Sequence, residues 1–153
     1  MKPLGIKTAL VLAGLLSLLI TACLPAIEAA PDITLSKAWV RLPAGGRDIT
    51  GGYLVINNRG GADVLLSASS SIAEEIEMHE HIMEDDMMKM REISALDVPK
   101  KQQLVFAPGG YHLMMFGVDG LFLGQEVELT LEFERSGRLS TTAIVGKQLT
   151  PAH

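Results

Sequence analysis

Methionine and histidine side chains are concentrated in two short segments of this chain. "MHEHIMEDDMMKM" at 78–90 contains five methionines and two histidines, and "GGYHLMMFG" follows at 109–117. Apart from Met1, every methionine lies between Met78 and Met115. Thioether sulfur is a soft, neutral donor that suits Cu(I), whereas magnesium and calcium prefer oxygen. Thioether and imidazole groups clustered in this way predict a copper(I) site.

Alternation along a β-strand determines which of these donors can meet. His112 and Met114 are two residues apart, so on a strand their side chains leave the same face. His79 and His81 follow the same rule, and Met90 lies beyond the acidic stretch "EDD" on what should be a return strand. A hairpin would bring Met90 back near His79. We therefore expect two imidazoles and two thioethers to share one ion, with His81 either an auxiliary ligand or, as we favour, exposed.

The neighbouring methionines have a simpler interpretation, because methionine commonly fills hydrophobic cores. Met78 and Met115 alternate with the candidate ligands, so they should point to the opposite face. Met83 and Met88 are expected either in the core or in solvent. The stretch "EDD" lacks the glycine and the spacing of a calcium loop, and it is expected to be a solvated turn.

The chain from Ile33 onward consists of short apolar or alternating runs separated by glycine, proline and asparagine, which favours strands. Eight strands are predicted: "ITLSKAWV", "GGYLVINN", "DVLLSAS", "AEEIEMHEH", "QQLVFAP", "YHLMMFG", "QEVELTLEFE" and "LSTTAIVG". "SSSIAEEIEMHE" can also begin as a short capped helix, but we favour a strand from about Glu75. Many short strands with frequent turns predict an all-β antiparallel β-sandwich with Greek-key connections.

The first thirty residues have the pattern of a secretory signal peptide, with Lys2 and Lys7 followed by an apolar run. Cleavage before Cys23, near 22/23, would leave a lipid-bearing cysteine in the "LITAC" context, and cleavage near 29/30 in "IEAA" would discard it. Both sites remain open. Residues 31–153 are expected to form one domain, exported to the periplasm, whose only membrane attachment would be a lipid anchor at Cys23.

Composition excludes several classes of function. Cys23 is the single cysteine, so a mature disulfide framework, a thiolate zinc site, a catalytic thiol and a blue-copper centre are excluded. The formal net charge is −5, which argues against a nucleic-acid partner because such binding calls for a basic face. No recognisable nucleophile motif is present, so we expect no catalytic residue and no enzyme.

The order His79, ten residues, Met90, twenty-one residues, His112, one residue, Met114 is similar to the signature of the PCuAC family of periplasmic copper chaperones. The flanking segments "MMKMR", "APGGYHLMMFG", "KAWVRLPAGG" and "GGYLVINNRG" also resemble that family, and the resemblance covers about residues 38–145. Four ligands at fixed separations make this pattern specific.

The resemblance implies a cupredoxin-like β-sandwich that binds Cu(I) through those four side chains. It further implies delivery of copper to the CuA centre in subunit II of cytochrome c oxidase, sometimes together with a Sco-type thiol protein. Some relatives carry a second copper on a His- and Met-rich tail, whereas "GKQLTPAH" has only His153. The alternative is a sequestration protein that buffers copper, which the methionine surplus at 83–88 favours. One bound Cu(I) indicates the chaperone and several indicate the buffer.

Overall fold

The computed structural model describes residues 28–147, which form ten β-strands. The strands are β1 Ile33–Arg41, β2 Ile49–Asn58, β3 Asp63–Ser69, β4 Glu75–Glu84, β5 Met87–Ile93, β6 Leu96–Val98, β7 Gln103–Val105, β8 His112–Phe116, β9 Glu126–Phe133 and β10 Gly137–Gly146. A membrane-spanning helix is absent from this part of the chain. The predicted signal peptide with Cys23, and the terminal His153, lie outside the described residues.

The strands are hydrogen-bonded in the order β5-β4-β8-β2-β1-β10-β9-β3-β6, and β7 also pairs with β2. The predicted all-β class is confirmed, and β4 begins at Glu75 as predicted. The strand pairs are antiparallel except for one, because the end of β1 runs parallel to the end of β10. Two strands beyond the eight were not delimited from sequence: β5, whose residues are almost all exposed and show no alternation, and the three-residue β6.

One hydrophobic core contains side chains from both ends of this sheet. Strand β9 shows the alternation clearly, because Val127, Leu129, Leu131 and Phe133 are all buried, as the pattern "VELTLEF" predicts. Side chains from β2, β4 and β8 pack in the same cluster as those of β3, β9 and β10. Met115 belongs to this core, as does Met78, so the prediction that both point to the face opposite the candidate ligands is confirmed. The core thus fixes one face of β4 and β8 and leaves the other face available for a site.

The β4–β5 hairpin turns through two residues, Asp85 and Asp86, and both are exposed. Their φ angles are 52° and 60°, which is the left-handed pair that a type I′ hairpin turn requires. The prediction that "EDD" forms a solvated turn is confirmed. Two aspartates in succession are not the residues that this turn prefers, since glycine at the second position adopts a positive φ without steric cost.

Replacing Asp86 with glycine should therefore stabilise the protein. The expected gain is about 0.5–1 kcal/mol, because the left-handed region costs an L-residue roughly 1–2 kcal/mol and part of the gain is offset by the larger chain entropy of glycine. Urea unfolding measures it. Asp97→Gly is the matched control, because Asp97 is exposed in β6 without a positive φ and glycine should weaken that strand. Lower stability of Asp86→Gly would contradict the type I′ assignment.

Candidate metal site

Three neighbouring strands present the predicted ligands on the face that the core leaves free. In the β4–β8 pair His79 lies opposite His112, and in the β4–β5 pair His81 lies opposite Met90. Met114 is two residues beyond His112 on β8 and shares its face. All four predicted ligands are therefore on one surface of the sheet.

The register differs from the expected one in a single respect. The turn contains only two residues, so Glu84 pairs with Met87, and each step along one strand is matched on the other. This register places Met90 opposite His81 and Glu92 opposite His79. The hairpin therefore returns Met90 to His81, two residues along β4 from the expected His79, because the sequence did not show where the two-residue turn falls.

A cavity of about 370 Å³ opens over this surface. Its walls include His81, Met90, His112 and Met114, together with these residues of β1, β2 and the turn before β8: Arg41, Tyr53, Pro108 and Gly109. His79 does not line this cavity, although its ring centroid lies 5.7 Å from that of His112. The structure thus gathers three of the four predicted ligands around the opening and holds His79 beside His112.

His112 is buried, and its two ring nitrogens have different partners. Nδ1 lies 3.1 Å from the carbonyl oxygen of Gly110, and Nε2 lies 3.1 Å from Sδ of Met90. A carbonyl oxygen can only accept, so we assign the proton to Nδ1 and the lone pair to Nε2. Two electron-pair donors, one imidazole nitrogen and one thioether sulfur, then point toward each other. A soft cation bound by both would stabilise this arrangement.

The carbonyl of Gly110 is placed by a tight turn. Gly110 N–H donates to Ala107 O, Ala107 N–H donates to Tyr111 O, and Gly109 has a φ of 85°. Pro108, Gly109 and Gly110 thus form a tight turn directly before β8, and this turn presents His112.

The pKa of His112 is lowered from its ordinary value of 6.5. Burial is the main cause, since it disfavours the imidazolium, and the charges of His81, His79 and Arg41 act in the same direction. The hydrogen bond to Gly110 acts in the opposite direction and only partly offsets them. His112 is accordingly held neutral, which is the form that binds metals.

His79 is oriented by an acidic neighbour on its own strand. Its Nε2 lies 2.7 Å from Oε2 of Glu77, while its Nδ1 is buried and has no hydrogen-bond partner among residues 28–147. When Nε2–H donates to the carboxylate, the lone pair on Nδ1 is left unsatisfied inside the protein. A carboxylate that holds the second nitrogen of a histidine is the usual support of a metal-binding imidazole. Glu77 was missed from sequence, although its two-residue spacing from His79 could have revealed it.

The expectation that His81 is exposed is wrong: it is half-buried, because the turn at 107–111 and β8 cover it. Its ring stacks on His112 at a centroid distance of 4.8 Å, and its Nδ1 lies 3.3 Å from the carbonyl oxygen of Gly110. This half-buried position makes His81 a wall of the cavity. Across residues 28–147, His, Cys, Asp and Glu side chains nowhere converge as a group of three able to hold a metal; the donors around His112 include thioethers.

The position of Tyr53 in the cavity wall depends on a glycine. Gly51 lies opposite Met114 in the β2–β8 pair, and a Cβ added at Gly51 would lie 2.6 Å from the hydroxyl oxygen of Tyr53. Tyr53 cannot easily move aside, since its ring stacks on Trp39 at 4.4 Å and the Arg41 guanidinium lies 5.5 Å from its centroid. Gly51 therefore leaves the space that the Tyr53 side chain occupies in the cavity wall.

Glu77→Ala should weaken Cu(I) binding by about 10-fold or more, because without the carboxylate the tautomer and the ring orientation of His79 are no longer fixed. Competition with a chromophoric Cu(I) chelator under anaerobic conditions measures the affinity. Glu75→Ala is the matched control, since Glu75 lies two residues earlier on the same face but is exposed. Equal affinities of the two variants would show that Glu77 does not support the site.

Comparison with known proteins gives the family and the fold. The family described as "LpqE-like: Putative lipoprotein LpqE-like" matches residues 33–145. The chain is 32% identical over 127 residues to "Putative lipoprotein Lxx21020" of Leifsonia xyli subsp. xyli (strain CTCB07), which covers 81% of this chain and 75% of that relative.

Two solved structures share the fold of most of this chain. The copper-bound PCuAC domain from PmoF2 matches with a TM-score of 0.64 and 23% identity over 76% of this chain and 93% of that one. The solution structure of CuI-DR1885 from Deinococcus radiodurans matches with a TM-score of 0.62 and 24% identity over 82% of this chain and 85% of that one. The predicted PCuAC resemblance and cupredoxin-like sandwich are confirmed in fold. The chain belongs to the LpqE-like family and has the fold of PCuAC domains.

Proposed function

We propose that this protein is a Cu(I)-binding metallochaperone without catalytic turnover, which holds the ion with His79, Met90, His112 and Met114. The observation that carries the proposal is the 3.1 Å approach of His112 Nε2 to Met90 Sδ at the wall of an open cavity. Imidazole and thioether are both neutral donors, so the site gains only the charge of the ion. Such a donor set selects Cu(I) over zinc, calcium and magnesium.

The comparisons support copper as the cargo. The PmoF2 domain and DR1885, whose folds this chain shares, are described in copper-bound and CuI forms. The same chemistry is available here because the donors of one face meet around His112, whereas Met115 is committed to the core.

The geometry favours release as well as binding. His112 is 4% exposed, whereas Met90 is 48% exposed, so an incoming ligand can reach the copper from the side of Met90. Transfer then proceeds by ligand exchange, in which a donor of the recipient replaces Met90 first and the buried imidazole last. The ion remains Cu(I) throughout, so no electron has to move, and a recipient thiol releases its proton as it binds the ion.

The recipient is proposed to be the CuA centre in subunit II of cytochrome c oxidase, with a Sco-type thiol protein as a partner. Anionic thiolates attract Cu(I) more strongly than neutral thioethers, so transfer from this site to a thiolate site runs downhill. To meet either partner, this protein must be exported to the periplasm. The predicted signal peptide supports export, as does the relative named a putative lipoprotein. An anchor at Cys23 would keep the carrier at the membrane.

A copper buffer is the second candidate, and it is favoured by three exposed methionines of the hairpin, namely Met83, Met87 and Met88. Anaerobic Cu(I) titration distinguishes the two functions. A carrier binds one tight equivalent and passes it to an apo CuA domain, whereas a buffer binds several tight equivalents and retains them in the presence of that domain. Retention of the first equivalent would contradict the chaperone function.

Alanine substitution at His79 and at His81 tests which of these two histidines of β4 is a copper ligand. His79→Ala should abolish tight binding, because it removes the orphaned Nδ1 donor beside His112. His81→Ala should weaken binding less, since it removes an aromatic wall rather than a ligand. The opposite order of Cu(I) affinities, measured by chelator competition, would assign the fourth ligand to His81.

A further inference from the structure

The row of metal-binding side chains continues beyond the proposed site toward the tip of the hairpin. On the same face of the β4–β5 pair, Met83 lies directly opposite Met88, two residues outward from the pair of His81 and Met90. We refer to Met83 and Met88 as the outer rung and to His81 and Met90 as the inner rung. Two residues along a strand span about 6.6 Å, so the two rungs are within one ligand-exchange step of each other.

Exposure falls steadily along this row. Met83 is 71% exposed, Met88 63%, Met90 48% and His112 4%. Methionines that fill a core are buried, as Met115 is. Packing in the core therefore does not account for the two methionines of the outer rung. The row leads from solvent to the buried imidazole and offers a soft donor at each step.

The two sulfurs of the outer rung can reach one ion. Directly opposed residues in an antiparallel pair have Cβ atoms about 4.5–5.5 Å apart, and the flexible methionine side chain adapts readily from that distance. The hairpin register therefore brings two thioethers together without any contribution from the rest of the fold.

The charge around the outer rung also favours a cation. Asp85 and Asp86 form the adjoining turn, and neither takes part in an ion pair among the described residues, whereas Glu84 is paired with Lys89 at 2.7 Å. Two unpaired carboxylates next to the thioethers raise the local concentration of cations, although screening by salt limits the effect. The thioethers then select the soft ion among them.

We propose that the outer rung is a second, weaker Cu(I) site through which copper reaches and leaves the ligand set around His112; this inference rests on the proposed copper carriage. A Cu–S bond to Met83 or Met88 breaks as the bond to Met90 Sδ forms, and the imidazole of His112 then completes the transfer. Each step exchanges one neutral ligand for another, so copper remains Cu(I).

The hairpin supplies its own matched control. Met87 is 58% exposed and lies next to Met88, but it pairs with Glu84, so its side chain leaves the opposite face. Met87→Leu thus removes one exposed thioether from the same hairpin without touching the row.

Titration of the mature chain, labelled with carbon-13 at the methionine methyl groups, with Ag(I) tests the proposal. Ag(I) is a diamagnetic soft ion that does not change oxidation state under these conditions. The first equivalent should shift the methyl signals of Met90 and Met114, and the second those of Met83 and Met88, while the Met87 signal stays in place. The double variant Met83→Leu/Met88→Leu should lose the second equivalent and load Cu(I) from a chelator more slowly than Met87→Leu.

Three results would overturn the outer rung as a transit site. One is the absence of any shift at Met83 and Met88 while Met90 and Met114 respond; the proposed function would survive that result. Another is a shift at Met87 as large as those of the outer rung. The third is binding at Met83 and Met88 without any response of Met90 and Met114, which would overturn the proposed ligand set as well.

Discussion

His112→Ala should lower the Cu(I) affinity of the mature domain by more than about 100-fold, which is beyond the 10–100-fold typical of losing only a supporting residue of a metal site. His112 is the donor that the others surround: Met90 Sδ is 3.1 Å from its Nε2, and the rings of His79 and His81 lie within 6 Å of its own. The hydrogen bond from Nδ1 to the Gly110 carbonyl fixes the orientation of the ring and leaves Nε2 facing Met90.

Anaerobic competition with a Cu(I) chelator measures this loss, and circular dichroism of the apo variant verifies that it remains folded. Lys89→Ala is the control, since an ammonium has no lone pair to offer and its side chain points to the opposite face, toward Glu84. Unchanged affinity of His112→Ala would remove the centre of the proposed site.

Asp63→Ala should reduce the free energy of unfolding by at least about 3 kcal/mol, because each hydrogen bond to a charged group contributes about 1.5–3 kcal/mol. Asp63 is 3% exposed at the start of β3. Its Oδ1 accepts from the backbone N–H groups of Val64 and Arg135 at 2.8 and 2.9 Å, and its Oδ2 accepts from the N–H and the hydroxyl of Ser136 at 3.0 and 2.5 Å. One carboxylate thus ties the turn between β9 and β10 to β3, and its loss leaves buried donors unpaired.

The same carboxylate should give this stability a defined pH dependence. Burial alone would raise the pKa of Asp63, but its hydrogen bonds outweigh burial and hold the pKa below the ordinary 3.8. A depressed pKa in the folded state means that the stabilisation is complete above the unfolded value and is lost as pH falls through the folded value. The difference in unfolding free energy between wild type and Asp63→Ala should therefore shrink below about pH 4.

Asp32→Ala is the control for Asp63, because within the described part of the chain the Asp32 carboxylate pairs only with the Arg59 side chain and both are more than half exposed. Surface pairs of this kind contribute about 1 kcal/mol or less. Urea unfolding at pH 7 and at acid pH gives both numbers. Equal losses for the two variants would show that Asp63 is not an anchor of the fold.

The alternation of side chains along β4 and β8 predicted which face of each strand belongs to the core and which belongs to the site. It separated Met114 from Met115 and correctly placed Met78 on the face opposite His79, because a core on one side of β4 and β8 forces every second residue inward. Strand β9 was readable for the same reason.

The features that could not be predicted depend on long-range pairing or on turn geometry. The exposed strand β5 shows no alternation, so its register was fixed only by the turn at Asp85 and Asp86. The parallel contact of β1 with β10 joins residues about one hundred positions apart, and local pattern carries no information about it. His81 became a wall of the cavity because the turn at 107–111 folds over it.

X-ray absorption of the domain loaded with one equivalent of Cu(I) tests the proposed ligand set most directly. Two sulfur and two nitrogen neighbours are predicted, and Met114→Leu should remove one sulfur while Met115→Leu removes none, because Met115 is fully buried on the opposite face. A copper ion without sulfur neighbours, or the loss of one sulfur in both variants, would contradict the assignment of His79, Met90, His112 and Met114.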